Sequence, residues 1–398
     1  MPNFSAIAAL LSSVFVLIAG NSLVNTLVST RAKIEDFPNL SIGVLGSAYF
    51  AGMLLGTFAA PVLVIRVGFV RAFTASVALA IIVTILYPLY VDPLVWIFLR
   101  GILGFAFAVL YGVIETWINS NATNKSRGSV YGFYQVVHFG GGTVGQQLIS
   151  AAAPTSPTLF SIAAALTAVA ILPMALTRSD PPAQPRSVKV RIPWLWNISP
   201  VGAFAALCIG GSNGAFWFLA PVYALGPDHS TERVAALMTA VIIGSAVGVW
   251  PIGRLSDFFD RRVVIVICSG AGALLEAVFF TLGVPSPLLM SGLGFLLGIA
   301  NMSLYTVAAA QTNDRAGPDH AIAVASGLLF LYCVGAIIAP YTAAWLMGRY
   351  GDGSLFAQCC VVHAVLALFT LWRILRRAPV ETPVERDKKT LKPGTGFP

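Results

Sequence analysis

Only 10% of the residues carry charge, so the groups able to bind a solute or move a proton are few, and their spacing is regular. Asn21 and Asn25, Asn213 and Trp217, and Asn301 and Tyr305 each stand four residues apart, the separation that stacks two side chains on one helical face. Arg100, Tyr111 and Glu115 follow at steps of 11 and 4 residues, close to whole turns, so they too share a face. Arg100 and Glu115 are then about 22 Å apart along the axis and cannot pair. Gln135, His138 and Gln146 add polar groups beside a glycine run in HFGGGTVGQQ. Amides serve hydroxyls and heterocycle edges, and aromatic faces stack flat rings. Tyr49, Tyr111, Tyr134, Trp217, Trp250, Tyr305 and Tyr332 are the candidate rings. This chemistry suits a neutral or weakly charged, planar or hydroxylated solute. A polycarboxylate or sugar phosphate would call for several inward cations, and Arg100 alone is available. Each amide is equally readable as helix-to-helix bonding, at about 0.6–2 kcal/mol.

The elements that carry these groups must be membrane helices. Hydrophobic residues make up 57% of 398, more than a soluble fold can hide from water. Runs of about 20 apolar residues match the bilayer core when helical, and lipid leaves no water for open backbone groups. Twelve spans are expected, at 5–30, 41–65, 71–90, 94–117, 129–152, 157–177, 199–225, 233–253, 263–284, 287–311, 320–346 and 353–375. The first lacks a basic leader and is too long for a cleaved signal peptide. The fold class expected is an all-α integral membrane protein of two six-helix bundles, 1–177 and 199–377. A cytoplasmic linker, 178–198, and a disordered polar tail, 378–398, complete it.

Lys and Arg concentrate on the loops that share a side with both termini, among them Arg66, Arg71, Arg254, Arg261, Arg262 and the linker. The opposite side receives Arg31, Lys33, Arg233 and Arg349, so both termini are expected in the cytoplasm. That asymmetry accounts for the net charge of +8 without a nucleic-acid partner. The five cysteines fall inside spans without a CxxC, which argues against a disulfide framework. No pair of Met and His at helical spacing offers copper a soft site, so no metal or cofactor is expected; a lone His138 among glycines reads as a hydrogen-bonding group. No phosphate-binding loop suggests direct ATP coupling.

A shift of 192 residues lays the second half on the first, bringing Asn21 onto Asn213 and IRVGFVR onto DFFDRRV. Paired halves enclosing a mid-membrane site are the build of secondary transporters. GRLSDFFDRR (253–262) resembles the G-x-L-x-D-R-x-G-R-R loop of the major facilitator superfamily, matching at Gly253, Leu255, Asp257, Arg261 and Arg262. The first-half copy is degraded, keeping Arg66 and Gly68 with Ile65 in place of the acid. LRGILG (99–104) is similar to the family's R-x-x-x-G signal, and the exporters' G-P-x-x-G-G signal is missing from span five.

The resemblance covers essentially the whole chain. It implies a multi-pass transporter of the bacterial inner membrane, a monomer without enzymatic activity, whose spans one, four, seven and ten line the cavity. The expected substrate-binding set is Asn21, Asn25, Arg100, Tyr111, Gln135, His138, Asn213, Trp217, Asn301 and Tyr305. The expected gating set is Glu115, Arg66, Arg71, Asp257, Arg261 and Arg262, a latch whose exposed charge pairs switch partners at about 0–1 kcal/mol. Asp257 is also positioned to cap the following helix. Glu115 has three readings: a gate partner for Arg261 or Arg262, a proton carrier, or an interfacial acid. Glu276 reads as a structural bond. The chain also looks like a proteobacterial branch that includes riboflavin importers and copper importers. Riboflavin uptake is the substrate that this resemblance and the aromatic-amide cavity together imply. The alternatives are a drug or metabolite exporter, a copper importer and a non-transporting membrane sensor.

Overall fold

The computed structural model describes residues 4–121, 127–176 and 190–376, and among them it is all helix. The first half contains α1 (Phe4–Ile34), α2 (Asn39–Val67), α3 (Phe69–Leu89), α4 (Pro93–Asn121), α5 (Arg127–Gln147), α6 (Thr158–Val169) and α7 (Ile171–Leu176). A short α8 (Ile192–Ile198) leads into the second half: α9 (Pro200–Leu225), α10 (Thr231–Phe258), α11 (Arg261–Leu282), α12 (Pro287–Met302), α13 (Leu304–Ala316), α14 (Ala321–Tyr350) and α15 (Ser354–Arg376). Among the described residues, ten helical stretches are long and apolar enough to cross a membrane, α12 and α13 counting as one. The expected fifth and sixth spans fall short of that test for different reasons. In α5 the glycines, amides and His138 dilute the apolar surface, and the sixth is split at Ala170 into α6 and α7.

Two expected boundaries move. Residues 192–198, assigned above to the linker, form α8, whose buried Leu195 packs on Gly327 and whose Trp194 ring lies over His320. Span ten breaks at Ser303, with consequences for the site below. Linker residues 178–189 and the tail lie outside the described residues.

Helices in lipid gain little from apolar contact alone, so close backbone approach decides their packing. In the first half α2 and α4 meet through glycine: a Cβ on Gly52 would run into the Gly101 carbonyl, and one on Gly104 into that of Tyr49. This seam brings Arg100 and Tyr111 of α4 up to α1 and α2.

Among the described residues, the halves touch tightly at one end only. At the end opposite the linker, Gly43 of α2 seats against the Pro340 carbonyl and Ala344 of α14. Gln147 Nε2 donates to Thr239 Oγ1 at 2.8 Å, and Lys33 Nζ lies 3.5 Å from Asp352 Oδ1. At the linker end the corresponding α2–α14 contact is a ring pair, Phe58 and Phe330, 6.4 Å apart, beside a void of about 480 Å³. The shape is closed at one end and open at the other. Leucine at Gly43 has no room in the closed end, so Gly43→Leu is expected to favour its opening. A cysteine placed at Ser245 should then react about fivefold faster with an impermeant maleimide supplied from that end.

Candidate functional site

A cavity of about 420 Å³ lies between the halves, within the usual range for small-molecule sites. Of the expected substrate-binding residues, it gathers Asn21, Asn25, Tyr111, Gln135, His138, Asn213, Trp217 and Tyr305. The two asparagines related by the 192-residue shift therefore face the same void from opposite halves.

The asparagines of α1 divide their hydrogen bonds in a complementary way. Asn21 Nδ2 donates to Tyr111 Oη at 3.0 Å and lies 3.5 Å from Tyr49 Oη, while its Oδ1 is buried with no partner. Asn25 is held at its oxygen: Oδ1 accepts from Arg100 Nη1 at 2.8 Å, its amide also bonds the Tyr49 side chain, and the residue lines the cavity. One helical turn thus places an unpartnered acceptor and, four residues on, a second amide beside the void. A buried acceptor without a partner costs about 1–3 kcal/mol, which a bound solute can recover.

Arg100 was expected to touch solute, and it does not line the cavity. Its side chain is 1% exposed and lies behind Asn25, with the guanidinium over the rings of Tyr49 (4.4 Å) and Phe218 (4.8 Å). Nε reaches the Leu45 carbonyl at 3.4 Å. A cation removed from water takes π faces and carbonyls where no carboxylate is near. Because Phe218 belongs to α9, this packing crosses between the halves.

Asn301 also lies elsewhere. The i, i+4 expectation assumed one continuous helix, and the break at Ser303 rotates the two residues apart. Tyr305 on α13 reaches the cavity, whereas Asn301 at the end of α12 is buried against α11 and donates to Glu276 at 3.1 Å. Among the candidate rings, Trp250 faces outward beneath Arg254, and Tyr49 is buried under Arg100.

The cavity includes groups missed by the i, i+4 search, namely Ser22, Ser245, Met302 and Thr306. Ser22 and Gln146 hold α1 to α5: Thr26 Oγ1 donates to Gln146 Oε1 at 2.7 Å, and Gln146 Nε2 to Ser22 Oγ at 2.9 Å. Hydroxyls within apolar helices were the available signal, too common in the sequence to single these out. His138 sits against Tyr134, ring centroids 6.0 Å apart, and no three metal-ligating side chains cluster among the described residues.

Tyr111 and His138 also line a second void of about 340 Å³, which shares Glu115, Thr57 and Leu329 with the void between α2 and α14. The three voids thus follow one another, through shared lining residues, from the cavity past Glu115 towards the linker end. Glu115 makes no ion pair with any described residue; Arg261 and Arg262, its expected partners, are engaged within their own half. Arg261 bonds Asp314 (2.7 Å), Ser256 (3.1 Å) and Asp257 (3.5 Å). Arg262 holds Asp260, which caps α11 by accepting from the Arg262 backbone N–H, so the cap is Asp260 and not Asp257. Arg66 and Arg71, exposed between α2 and α3, form no ion pair with described residues.

The chain resembles proteins of known kind along nearly its whole length. An MFS-type transporter of Escherichia fergusonii, YcaD, itself uncharacterized, is 27% identical over 91% of this chain and 94% of its own. An uncharacterized MFS-type transporter of Yersinia pestis is 26% identical over 89% and 91%. Among solved structures, the nucleoside transporter NupG superposes with a TM-score of 0.76 at 14% identity, over 93% of this chain and 98% of that one. A bacterial homologue of the lysosomal transporter Spinster, inward-facing and occupied, gives 0.68 at 16%, over 92% and 95%. The sequence profile of the Major Facilitator Superfamily matches residues 10–200 and 202–396, and with a helical fold of two halves around a shared cavity, the chain belongs to that superfamily.

Proposed function

We propose that this transporter imports a neutral or weakly charged, planar, hydroxylated solute by alternating access, and that riboflavin is such a solute. The observation that carries the proposal is the pair on α1. Asn21 Oδ1 is an unpartnered acceptor and the Asn25 amide lies one turn away at the cavity wall, a pair that would complement a heterocycle edge bearing N–H and C=O side by side. Trp217, Tyr305 and Tyr332 supply ring faces around it, and Ser22, Gln135, Ser245 and Thr306 suit hydroxyls. Among the lining residues there is no Lys, Arg, Asp or Glu, which disfavours an anionic substrate.

In this reading ten apolar helices, α5 and the split α6–α7 make twelve crossings of a bacterial inner membrane. Both termini and the basic loops face the cytoplasm, the protein works as a monomer, and the open linker end is the cytoplasmic one. Alternation follows from the two ends. Closing the linker end would bring Arg66 and Arg71 towards Asp257 and Asp314, while the Gly43 contact parts.

A riboflavin-auxotrophic bacterium expressing the chain tests the substrate. Growth on micromolar vitamin, with quenching of flavin fluorescence on binding to the purified protein, is the expected result. No rescue and no quenching, with the protein present in the membrane, would remove riboflavin.

A further inference from the structure

Away from the cavity, α11, α12 and α15 enclose a polar cluster. Glu276 and His363 are each 1% exposed, with His363 Nδ1 2.8 Å from Glu276 Oε2. Asn301 Nδ2 donates to the other carboxylate oxygen at 3.1 Å. His363 Nε2 and Asn301 Oδ1 are buried and unpartnered.

Surrounding charge does not neutralise this cluster. The titratable groups within electrostatic reach of Glu276 are the Cys359 and Cys360 thiols on its partner helix α15. Cys268 stands two turns away on α11, and α12 carries no titratable residue. From α9, Ser212 contributes a carbonyl to Cys359, and Tyr223 donates to the Gly283 carbonyl. On α13, Asp314 is paired with Arg261. Glu276 forms no ion pair with Lys or Arg among the described residues.

The pair has room for one proton. With the carboxylate ionised and the imidazole neutral, it holds a net negative charge in an apolar surround, at high cost. A proton taken at Nε2 leaves Nδ1–H donating to Oε2 and cancels that charge; a proton residing on Oε2 and donated to Nδ1 does the same. The proton belongs to the pair, and it changes what Asn301 holds: an uncompensated carboxylate without it, and a charge-balanced or protonated one with it.

Asn301 is the penultimate residue of α12, and the break at Ser303 follows it. Beyond the break, Tyr305 and Thr306 enter the cavity. Gly272 backs Asn301 so closely that a Cβ there would strike Oδ1. We propose that Glu276 and His363 form a one-proton site whose occupancy is transmitted by Asn301 to the Ser303 break, and so to Tyr305. The three are positioning residues that couple transport to protons. Their purpose rests on the transporter reading, but the test below needs no solute.

Hydrogen exchange of residues 303–316 in the purified full chain, corrected for intrinsic rates, is measured across pH. A step in protection of about tenfold is expected in the unaltered protein. Glu276→Gln, which preserves the two contacts yet binds no proton, should flatten it. His363→Gln should flatten it too, and serves if Glu276→Gln does not fold. Gly272→Ala, which displaces the transmitting Asn301 without removing a titratable group, should lower protection at every pH and shrink the step. The same step in both Glu276→Gln and His363→Gln, or no step in the unaltered protein, would overturn the proposal and leave the transporter reading untouched.

Discussion

Arg100→Met is expected to leave a chain that folds and reaches the membrane, yet transports at least about a hundredfold more slowly, equivalent to about 2.7 kcal/mol. Two effects on stability oppose one another. Removing the guanidinium orphans Asn25 Oδ1, at about 1–3 kcal/mol, and abolishes two ring contacts worth about 2 kcal/mol or less apiece, while the Leu45 carbonyl stays within the α2 ladder. Against this, an apolar side chain of similar length spares the protein a cation buried without a carboxylate, and such exchanges are often near neutral. Folding therefore survives. Transport does not, because Asn25 is aimed by Arg100 and because the guanidinium stacks on Phe218 across the closed end of the halves. Arg100→Lys should fail similarly, since an ammonium lacks the planar fork that reaches Asn25 and both rings. Detergent-solubilised melting separates the arms: near-normal unfolding with lost uptake supports this account, and normal uptake in Arg100→Met refutes it.

How much of this was legible in the sequence follows from how local each feature is. Asn21, Asn25, Asn213 and Trp217 were found by i, i+4 spacing because α1 and α9 run unbroken through them. The same rule misplaced Asn301, since nothing in IANMSLY marks Ser303 as a break; α12 and α13 separate to satisfy contacts with α11 that lie far away in sequence. Arg100 was correctly placed within a span, but a long side chain can turn to either side, and which rings receive it depends on tertiary packing. Asp260 rather than Asp257 capping α11 is a boundary effect: α10 runs to Phe258, past the expected end at 253, so Asp257 lies within it. The Glu276–His363 pair joins helices 87 residues apart, a separation at which single-sequence patterns carry no signal.

The loop 253–262 illustrates a different limit. Its composition raised the expectation of a gate, yet Arg261 and Arg262 pair with acids of the second half while the linker end is open. Exposed pairs contribute about 0–1 kcal/mol, so exchanging these partners for others across the gap changes little energy. Such a cluster is legible as a switch and illegible as a state. The closed end is the reverse: Gly43, Pro340 and Ala344 carry no charge and no motif, and their role appears only when the backbones meet.

Trp217→Ala is expected to weaken solute binding about 30-fold with little effect on folding. Trp217 is half-buried, its ring edge-on to Phe216 at 5.6 Å and its remaining surface towards the cavity. A solute ring stacked there would lose about 2 kcal/mol, and that loss converts directly to affinity because the ring is not needed to hold α9 in place. Phe216 and Phe218, on the buried faces of the same helix, do that. The deficit should appear in KM and in flavin quenching, while the maximal rate at saturating solute is retained. Cys268→Ala, buried on α11 away from the void, is the control and should match the unaltered protein. A Trp217→Ala protein that binds normally would mean the solute lies against the Tyr111 and His138 side of the cavity, nearer the route to the linker end, and that the rings of the second half serve only to shape the wall.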